Sequence, residues 1–326
     1  MELKKAPLAI LRRRPRGADE PEALWRRWVR RFTRNKKALF GLAILVLFGL
    51  VALLAPVLRP GDPSAFIASP DLAPSGRFPL GTNGNGQDVL QQLIWGARIS
   101  LVDAFAVGVL TTALSTILGI AAAYVGGRGD DAITVVTNVF LVIPGLPLIV
   151  TIAIFLPPGA LTIVLVLTFT GWAWPSRIVR GQALSLRRRD FVAAAIVSGE
   201  RDWRVMVQEI LPNMWSVVVA NFMGSTIYAI GTEASLEFLG LGNVHQVTWG
   251  TMLYWAENHA DLLQGAWWTF LPPGFAIAIV AFALALCNFA VDEITNPRLR
   301  VLKRLLPRAV RGGWRLWPRA SAAGGS

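Results

Sequence analysis

The sequence predicts an all-helical membrane protein with six transmembrane helices and with both termini in the cytoplasm. The class follows first from composition, since 54% of the 326 residues are hydrophobic and 16% are charged, whereas soluble domains have about a quarter of their residues charged. It follows also from six long uncharged runs. The placement of lysine and arginine gives the orientation.

Each uncharged run approaches the roughly 20 residues that a helix needs to cross the hydrocarbon core of a bilayer. The fourth run is short, and the third contains Pro144 and Pro147. We retain both as spans, because membrane helices tolerate proline where neighbouring helices or waters satisfy the freed backbone groups. The runs are Ala38 to Leu58, Ala104 to Val125, Ala132 to Leu156, Ala160 to Ser176, Met214 to Thr232 and Trp267 to Val291.

The orientation rests on the rule that short cytoplasmic loops hold the excess of basic residues. With an inside N-terminus, 29 of the 32 Lys and Arg residues fall in the cytoplasm, and only Arg59, Arg77 and Arg98 fall outside. A multi-pass protein of the cell inner (plasma) membrane is therefore predicted. Its parts are a basic tail at 1–37, a six-span domain at 38–291, external loops at 59–103 and 233–266, a cytoplasmic loop at 177–213 and a second basic tail at 292–326.

The segment before the first span is predicted to be an amphipathic helix. Leu24, Trp28 and Phe32 recur every four residues with arginines between them. This pattern is typical of a helix lying on the cytoplasmic leaflet, where basic residues meet anionic lipid. Membrane lipid is thus the predicted partner of these arginines, and nucleic acid is not.

The cytoplasmic loop 177–213 is predicted to be helical and to bind another protein. Asp190 is placed to cap a helix that exposes the small residues 193–195, and Gly199 is placed to end it. A second helix, from Asp202 to Leu211, is predicted to stop at Pro212. A short helix that exposes alanines between arginines has the shape to enter a groove on a partner protein.

The same loop resembles the EAA motif of ABC importer permeases. The matching residues are Phe191, Val192, Ala194, Ala195, Gly199, Leu211, Pro212 and Asn213. The resemblance implies a coupling helix, about Asp190 to Trp203, that docks on an ATPase subunit. The residues expected to couple to the ATPase are Phe191, Ala194, Ala195, Gly199, Trp203 and Pro212. Ala193 stands where the family usually has glutamate.

Three further stretches resemble the second, C-type permease of dipeptide and oligopeptide importers. They are RNKKALFGLAILVLFGLVALLAPVL, then PLGTNGNGQDVLQQLIWGARISL, and finally EASLEFLGLG with TWGTMLYWA and NPRLR. In the second, Asn83 and Gln87 replace the family's usual Asp and Arg. Together the resemblance covers about residues 33–300.

The resemblance implies the fold of a type I ABC importer permease that forms half of a peptide pathway. The implied partners are a homologous second permease, two ATPase subunits and an external solute-binding protein. Related importers carry nickel chelates or oligosaccharides, which stay open as alternative cargoes.

No catalytic, cofactor or metal site is predicted in this chain. The pattern G-x-x-x-x-G-K-[ST] does not occur in the sequence, so ATP and its Mg are expected in the partner ATPase subunits. The histidines His245 and His259 lack a supporting carboxylate pattern and do not predict a metal site. The chain is therefore expected to be a transport subunit and not an enzyme.

A polar stripe on the fifth span is the candidate for the pathway. Asn221, Ser225, Tyr228 and Thr232 recur at helical spacing on one face. Such a stripe either faces a water-filled route or packs against another helix, and the sequence leaves both interpretations open.

An ion-coupled secondary transporter is the competing class. The predicted spans contain no Asp, Glu, Lys or Arg in their uncharged cores, and Asp103, Glu233 and Glu237 are placed at or just outside span ends. Since buried acidic residues couple ions to transport in such carriers, this placement argues against that class.

Overall fold

The computed structural model describes residues 35–295, and in this range the chain is helical and contains no named strand. The predicted amphipathic helix around Trp28 and the tail after residue 295 lie outside the described residues. The helices are α1 Lys36–Leu53, α2 Ala55–Leu58, α3 Val89–Val125, α4 Gly127–Val142, α5 Gly145–Ile154, α6 Ala160–Gly171, α7 Ala173–Arg187, α8 Asp190–Val197, α9 Asp202–Asn213, α10 Trp215–Phe238, α11 Trp249–Asn258 and α12 Leu271–Thr295.

Among the described residues, three helices are long and apolar enough to cross a membrane alone, namely α1, α3 and the Leu271–Val291 part of α12. Three consecutive pairs pass the same test together but are bent, α4 to α5 by 90°, α6 to α7 by 44° and α9 to α10 by 76°. Counting each bent pair as one span gives up to six spans, the number predicted from the sequence.

The longest helix, α3, joins two segments that the sequence analysis kept apart. The last part of the predicted external loop 59–103 and the predicted second span form one helix of 37 residues. Asp88 caps its start, with Oδ1 accepting the N–H groups of Leu90 at 2.8 Å and Gln91 at 3.2 Å. The predicted separation was wrong, because Arg98 and Asp103 interrupt the apolar run without interrupting the helix.

Glycines on α3 allow α10 and α7 to approach closely. A Cβ at Gly108 would overlap the side chain of Thr226 on α10, and one at Gly119 would overlap Val179 on α7. These contacts place α3 at the centre of the helix bundle.

The third predicted span, Ala132 to Leu156, is not straight. Its two helices meet at Pro144, which lies at the N-cap position of α5. Proline lacks the N–H that a continuous helix would use there, and its ring clashes with the preceding turn. The proline therefore ends α4 and turns the chain through the 90° bend.

The helix that contains the fifth predicted span extends beyond the predicted end of that span. Helix α10 continues past Thr232 to Phe238, so Glu233 and Glu237 lie inside it, with 2% and 4% of their surfaces exposed. Asp103 is 7% exposed within α3. These three carboxylates are therefore buried within the bundle, and Glu237 lies one residue before the end of α10.

Two apolar clusters hold the helices together. The larger includes Leu167, Leu236 and Trp249 and joins α3, α6, α10 and α11 with α1 and α12. The smaller lies where α3 ends, next to Arg128 and Arg187, and we call this side the arginine-rich end. The opposite side carries residues 59–88 and 239–270, and we call it the loop end.

Candidate functional site

The short helix α8 at the arginine-rich end carries the residues that resemble the coupling motif. Asp190 is the first residue of α8 and not its cap, because Arg189 holds the cap position and forms no side-chain capping bond. Gly199 ends the helix as predicted, with φ +78°. The Glu200 N–H then donates to the Ala195 carbonyl at 3.2 Å, a closure that a glycine in this conformation permits.

The helix after α8 does not stop at Leu211. Helix α9 continues through Pro212 to Asn213, and its middle turn, Val205–Ile210, is π-helical. A π turn widens the backbone, and such turns are frequent at functional sites. The bend falls two residues after the proline, at Met214.

One side of α8 is fixed to the bundle. Val192 is fully buried and belongs to the smaller apolar cluster together with Val205 and Ile210 of α9. These contacts orient α8 and leave its other side uncovered.

The uncovered side forms an apolar surface, which we call the docking face. It consists of Phe191, Ala194, Val197, Gly199 and Trp203, all of them exposed, with Val197 at 87% and Trp203 at 54%. Five of the six predicted coupling residues are exposed, since Ala195 is half-buried and Pro212 is exposed at the far end of α9. Exposed apolar surface of this kind marks interaction sites.

Two polar links that the sequence analysis did not foresee lie beside this loop. The Tyr124 hydroxyl at the end of α3 donates to Asp202 Oδ1 at 2.8 Å. Arg180 of α7 donates through Nε and Nη2 to the two carboxylate oxygens of Asp130 on α4, both at 2.6 Å. Sequence gave no signal for these pairs, because their members are 78 and 50 residues apart.

A cavity of about 650 Å³ opens between α4, α6, α7, α10 and α12. Asn221, Ser225 and Tyr228 of the polar stripe line it, whereas Thr232 does not. Asn221 Nδ2 also donates to the Pro175 carbonyl at 3.4 Å, a long hydrogen bond that fixes the amide only weakly.

None of the described residues that line this cavity is charged. Three of the larger residues that line the cavity were not predicted from the sequence, namely Phe140, Trp174 and Asn288. Asn288 lies on the last helix and was hidden in an otherwise apolar run. The described lining therefore consists of amide, hydroxyl, aromatic and aliphatic groups.

At the loop end, the residues at the start of α11 are hydrogen-bonded to neighbouring helices. The Trp249 N–H donates to Ser100 Oγ at 3.1 Å, and the Thr248 hydroxyl donates to Glu237 Oε2 at 2.5 Å. Thr248 and Thr251 also form a reciprocal capping box. Side chains from both α3 and α10 therefore fix the start of α11.

Within residues 35–295, no group of three His, Cys, Asp or Glu side chains has the geometry to hold a metal ion. His245 is exposed, but His259 is half-buried and stacks on the Trp255 ring with 5.4 Å between ring centres.

Comparison with known proteins assigns the family. The sequence model of the family described as binding-protein-dependent transport system inner membrane component matches residues 115–301, more than half of the chain. The model described as the N-terminal TM domain of oligopeptide transport permease C matches residues 23–74. The chain belongs to this family of permeases.

Curated relatives of the permease agree with this assignment. The oligopeptide transport system permease protein OppC of Bacillus subtilis (strain 168) is 32% identical over 280 residues, which cover 85% of the permease and 91% of the relative. The dipeptide transport system permease protein DppC of the same organism is 31% identical over 273 residues, 83% of the permease and 85% of the relative.

A third relative is the di/tripeptide transport system permease protein DppC of Pseudomonas aeruginosa (strain UCBPP-PA14). It is 33% identical over 278 residues, which cover 82% of the permease and 90% of the relative. The family resemblance predicted from the loop and from the three further stretches is therefore confirmed.

Proposed function

We propose that this permease is one subunit of an ATP-driven ABC importer and forms half of the pathway for dipeptides or oligopeptides delivered by an external solute-binding protein. The observation that carries the proposal is the similarity over more than four fifths of the chain to permeases named for peptide transport. A multi-pass membrane fold and an exposed helix in the coupling position support it.

The arginine-rich end is proposed to face the cytoplasm and the loop end to face outward across the cell inner membrane. The excess of 29 basic residues over three supports this orientation. Both termini are then cytoplasmic, and the loop end is the side on which a binding protein docks.

The docking face is proposed to insert into a groove on one of two partner ATPase subunits. Exposed Phe191, Val197 and Trp203 offer apolar surface, and Ala194 lets the helix enter a narrow groove. ATP and Mg would be bound by those ATPases, since this chain has no phosphate-binding loop of the G-x-x-x-x-G-K-[ST] kind. Ala193 in place of glutamate leaves this contact without a carboxylate at that position.

The cavity between α10 and α7 is proposed to be this subunit's share of the pathway, with a homologous permease completing it. Asn221, Ser225 and Tyr228 would then meet the solute, while Thr232 would not. An uncharged lining suits peptides of differing side-chain charge, because their common feature is the amide backbone. Selection of cargo would then rest on the binding protein.

The experiment that tests the proposal is uptake by the reconstituted complex. The permease is co-purified with its proposed partners and inserted into liposomes, and a labelled dipeptide and a labelled oligopeptide are supplied with the binding protein. Uptake that needs ATP inside and persists with ionophores is expected. Uptake that is driven by a proton or sodium gradient without ATP would refute the proposal and would assign Asp103, Glu233 and Glu237 to ion coupling.

A further inference from the structure

A hydrogen bond joins the coupling loop to the central helix of the bundle. Tyr124 lies one residue before the end of α3 and is 8% exposed, and its hydroxyl donates to Asp202 Oδ1 at 2.8 Å. Asp202 is the first residue of α9 and directly precedes Trp203 of the docking face. A hydrogen bond to a charged acceptor is about twice as strong as one between neutral groups.

A third element closes around the same tyrosine. Arg187, the last residue of α7, donates from Nη1 to the Ala123 carbonyl at 3.0 Å. Its guanidinium carbon lies 5.8 Å from the centre of the Tyr124 ring, within cation–π range. The ends of α3 and α7 and the start of α9 therefore meet at one side chain.

Apolar packing supports the tyrosine ring independently of its hydroxyl. The ring belongs to the smaller apolar cluster with Ile120, Val192 and Val205. Removal of the hydroxyl alone leaves this packing in place, so the hydrogen bond can be tested without a cavity in the core.

Helix α3 reaches from this point to the other side of the molecule. It is uninterrupted over 37 residues, a length of about 55 Å. Near its start, Ser100 Oγ accepts the Trp249 N–H at 3.1 Å, and the Leu93 carbonyl accepts Trp249 Nε1–H at 3.0 Å. One continuous helix therefore contacts the coupling loop at one end and α11 at the other.

Two glycines in the left-handed region follow α3 directly. Gly126 and Gly127 have φ values of +69° and +53°, a conformation that glycine adopts without strain. Helix α4 is held to α7 by the Asp130–Arg180 ion pair, and α7 is joined to α3 through Arg187.

We propose that Tyr124 and Asp202 are positioning residues of the transport cycle. Their hydrogen bond ties the coupling loop to α3, so that a displacement of the docking face moves α3 and, through Trp249, the helix α11 at the loop end. The inference rests on the proposed function, in which an ATPase moves the docking face and a binding protein contacts the loop end.

The test uses Tyr124→Phe in the complete complex with its ATPases and binding protein in liposomes. The number of peptides imported per ATP hydrolysed is measured, together with the stimulation of ATP hydrolysis by the binding protein. Both are expected to fall at least about fivefold, as for loss of a hydrogen bond to a charged group. ATPase assembly and thermal stability of the complex are expected to stay at wild-type values.

Three further variants isolate the bond. Asp202→Asn keeps an acceptor oxygen but loses its charge and should retain part of the coupling, whereas Asp202→Ala should reproduce the loss. The double variant Tyr124→Phe/Asp202→Ala should be no worse than either single variant, since all three lack the same bond. Tyr254→Phe is the matched control, because the Tyr254 hydroxyl makes no hydrogen bond within the described residues.

Wild-type coupling in Tyr124→Phe would overturn the inference, as would additive losses in the double variant. A loss of import that only follows a loss of assembled complex would also overturn it, since the tyrosine would then be structural alone. If the wild-type complex imports no peptide in the same assay, the proposed function fails. If the wild-type complex imports peptide and Tyr124→Phe matches it, only the inferred role of the Tyr124–Asp202 hydrogen bond fails.

Discussion

Asn83 and Gln87 form a direct amide pair, with Asn83 Nδ2 donating to Gln87 Oε1 at 2.9 Å and the Gln87 N–H donating back to Asn83 Oδ1 at 2.9 Å. Both residues are more than nine-tenths buried. These are the two positions at which the sequence departs from the Asp and Arg of the family it resembles. The two departures are therefore in contact, and a neutral hydrogen-bonded pair stands where the family pattern has two charges.

We expect the two positions to be exchangeable only together. Asn83→Asp places a carboxylate against the amide oxygens of Gln87 and Gln92, which now accept from Asn83, and should cost about 1–3 kcal/mol for a buried group left without its partner. The double variant Asn83→Asp/Gln87→Arg should recover most of that loss. Thermal unfolding in detergent is measured for the wild-type permease, for each single variant and for the double variant, which together form a double-mutant cycle. Strictly additive effects would show that the pair is not a unit.

The departure at both positions was readable from the sequence, but their pairing was not. Sequence spacing showed Asn83 and Gln87 on a turn-rich segment, whereas the turn that brings them together depends on Gly86, whose φ is +72°. The all-helical membrane class and the exposed helix that resembles the coupling motif could be predicted, because hydropathy and small-residue patterns act locally. The continuity of α3 could not, since the burial of Asp103 depends on helices that are distant in the sequence.

Proline was the least reliable local signal in this chain. Pro144 breaks the third span, whereas Pro212 lies within α9 and does not stop it. The difference lies in the turn before each proline, since the π-helical turn ending at Ile210 precedes Pro212, whereas an α-helix ending at Val142 precedes Pro144. A wider turn accommodates the missing N–H, and only the backbone geometry reveals it.

The docking face predicts a difference between two neighbouring alanines. Ala194→Glu should reduce ATP-driven import at least about tenfold, because a close helix-in-groove contact does not accept a larger, charged side chain. Ala193→Glu is the matched control, since Ala193 is also exposed and is the position at which the family usually has glutamate. Retention of the ATPases on the purified permease and peptide uptake are the measurements. Equal ATPase retention and equal uptake in the two variants would show that the docking face does not form the contact with the ATPase.

Gly199 requires a different substitution, because it is open to solvent but has φ +78°. Any non-glycine residue there carries a backbone cost of roughly 1–2 kcal/mol for the left-handed conformation. Gly199→Glu should abolish coupling, and Gly199→Asn, which tolerates this conformation better, should retain part of it. Wild-type import and ATP hydrolysis in Gly199→Glu would contradict the assignment of this loop.

The orientation predicts which positions an impermeant thiol reagent reaches from outside. Ser75→Cys and Asn243→Cys should react in intact cells, and Ser185→Cys should react only after the membrane is opened. The native side chains at these three positions are exposed in the structure. The native Cys287 is buried, so it should add little background labelling. Labelling of Ser185→Cys in intact cells would reverse the orientation.

Asp261 at the loop end predicts a pH dependence of stability. The residue is fully buried, and burial raises the pKa of its carboxyl above the ordinary 3.8. Asp71 raises this pKa further, whereas the nearby Thr269 and His259 lower it in part. Because the pKa is higher in the folded protein, the folded state binds this proton more tightly than the unfolded state does. The stability that protonation contributes is complete below the unfolded pKa and is lost as the pH rises through the folded pKa.

Asp261→Asn should therefore melt at a higher temperature than wild type at pH 7.5, by the equivalent of about 1 kcal/mol for removing a poorly paired buried charge. The difference should shrink as the pH is lowered toward the ordinary carboxyl pKa of 3.8. Melting curves of the purified permease from pH 8 down to about pH 4 measure this, with Glu257→Gln as the control because Glu257 is exposed. A pH-independent difference, or a lower melting temperature for Asp261→Asn at pH 7.5, would contradict the effect of burial.

The cavity beside α10 decides between the two interpretations of the polar stripe, and Asn221→Leu is the variant that separates them. Asn221 is 8% exposed and lines the cavity, and its one described hydrogen bond, to the Pro175 carbonyl, is 3.4 Å long. If the stripe serves packing, leucine removes an interhelical hydrogen bond worth about 1 kcal/mol and overfills the contact. The complex would then melt earlier, and import would fall only in proportion to the complex lost.

If the stripe lines the pathway, the long hydrogen bond contributes little, and leucine instead removes a polar group that meets the solute. We expect this second result, namely import reduced several-fold with an unchanged melting temperature. Thr232→Val is the matched control, since Thr232 belongs to the same stripe but does not line the cavity, and it should import normally. Stability and uptake are measured on the same Asn221→Leu preparation, because only a loss of uptake per intact complex assigns the residue to the pathway.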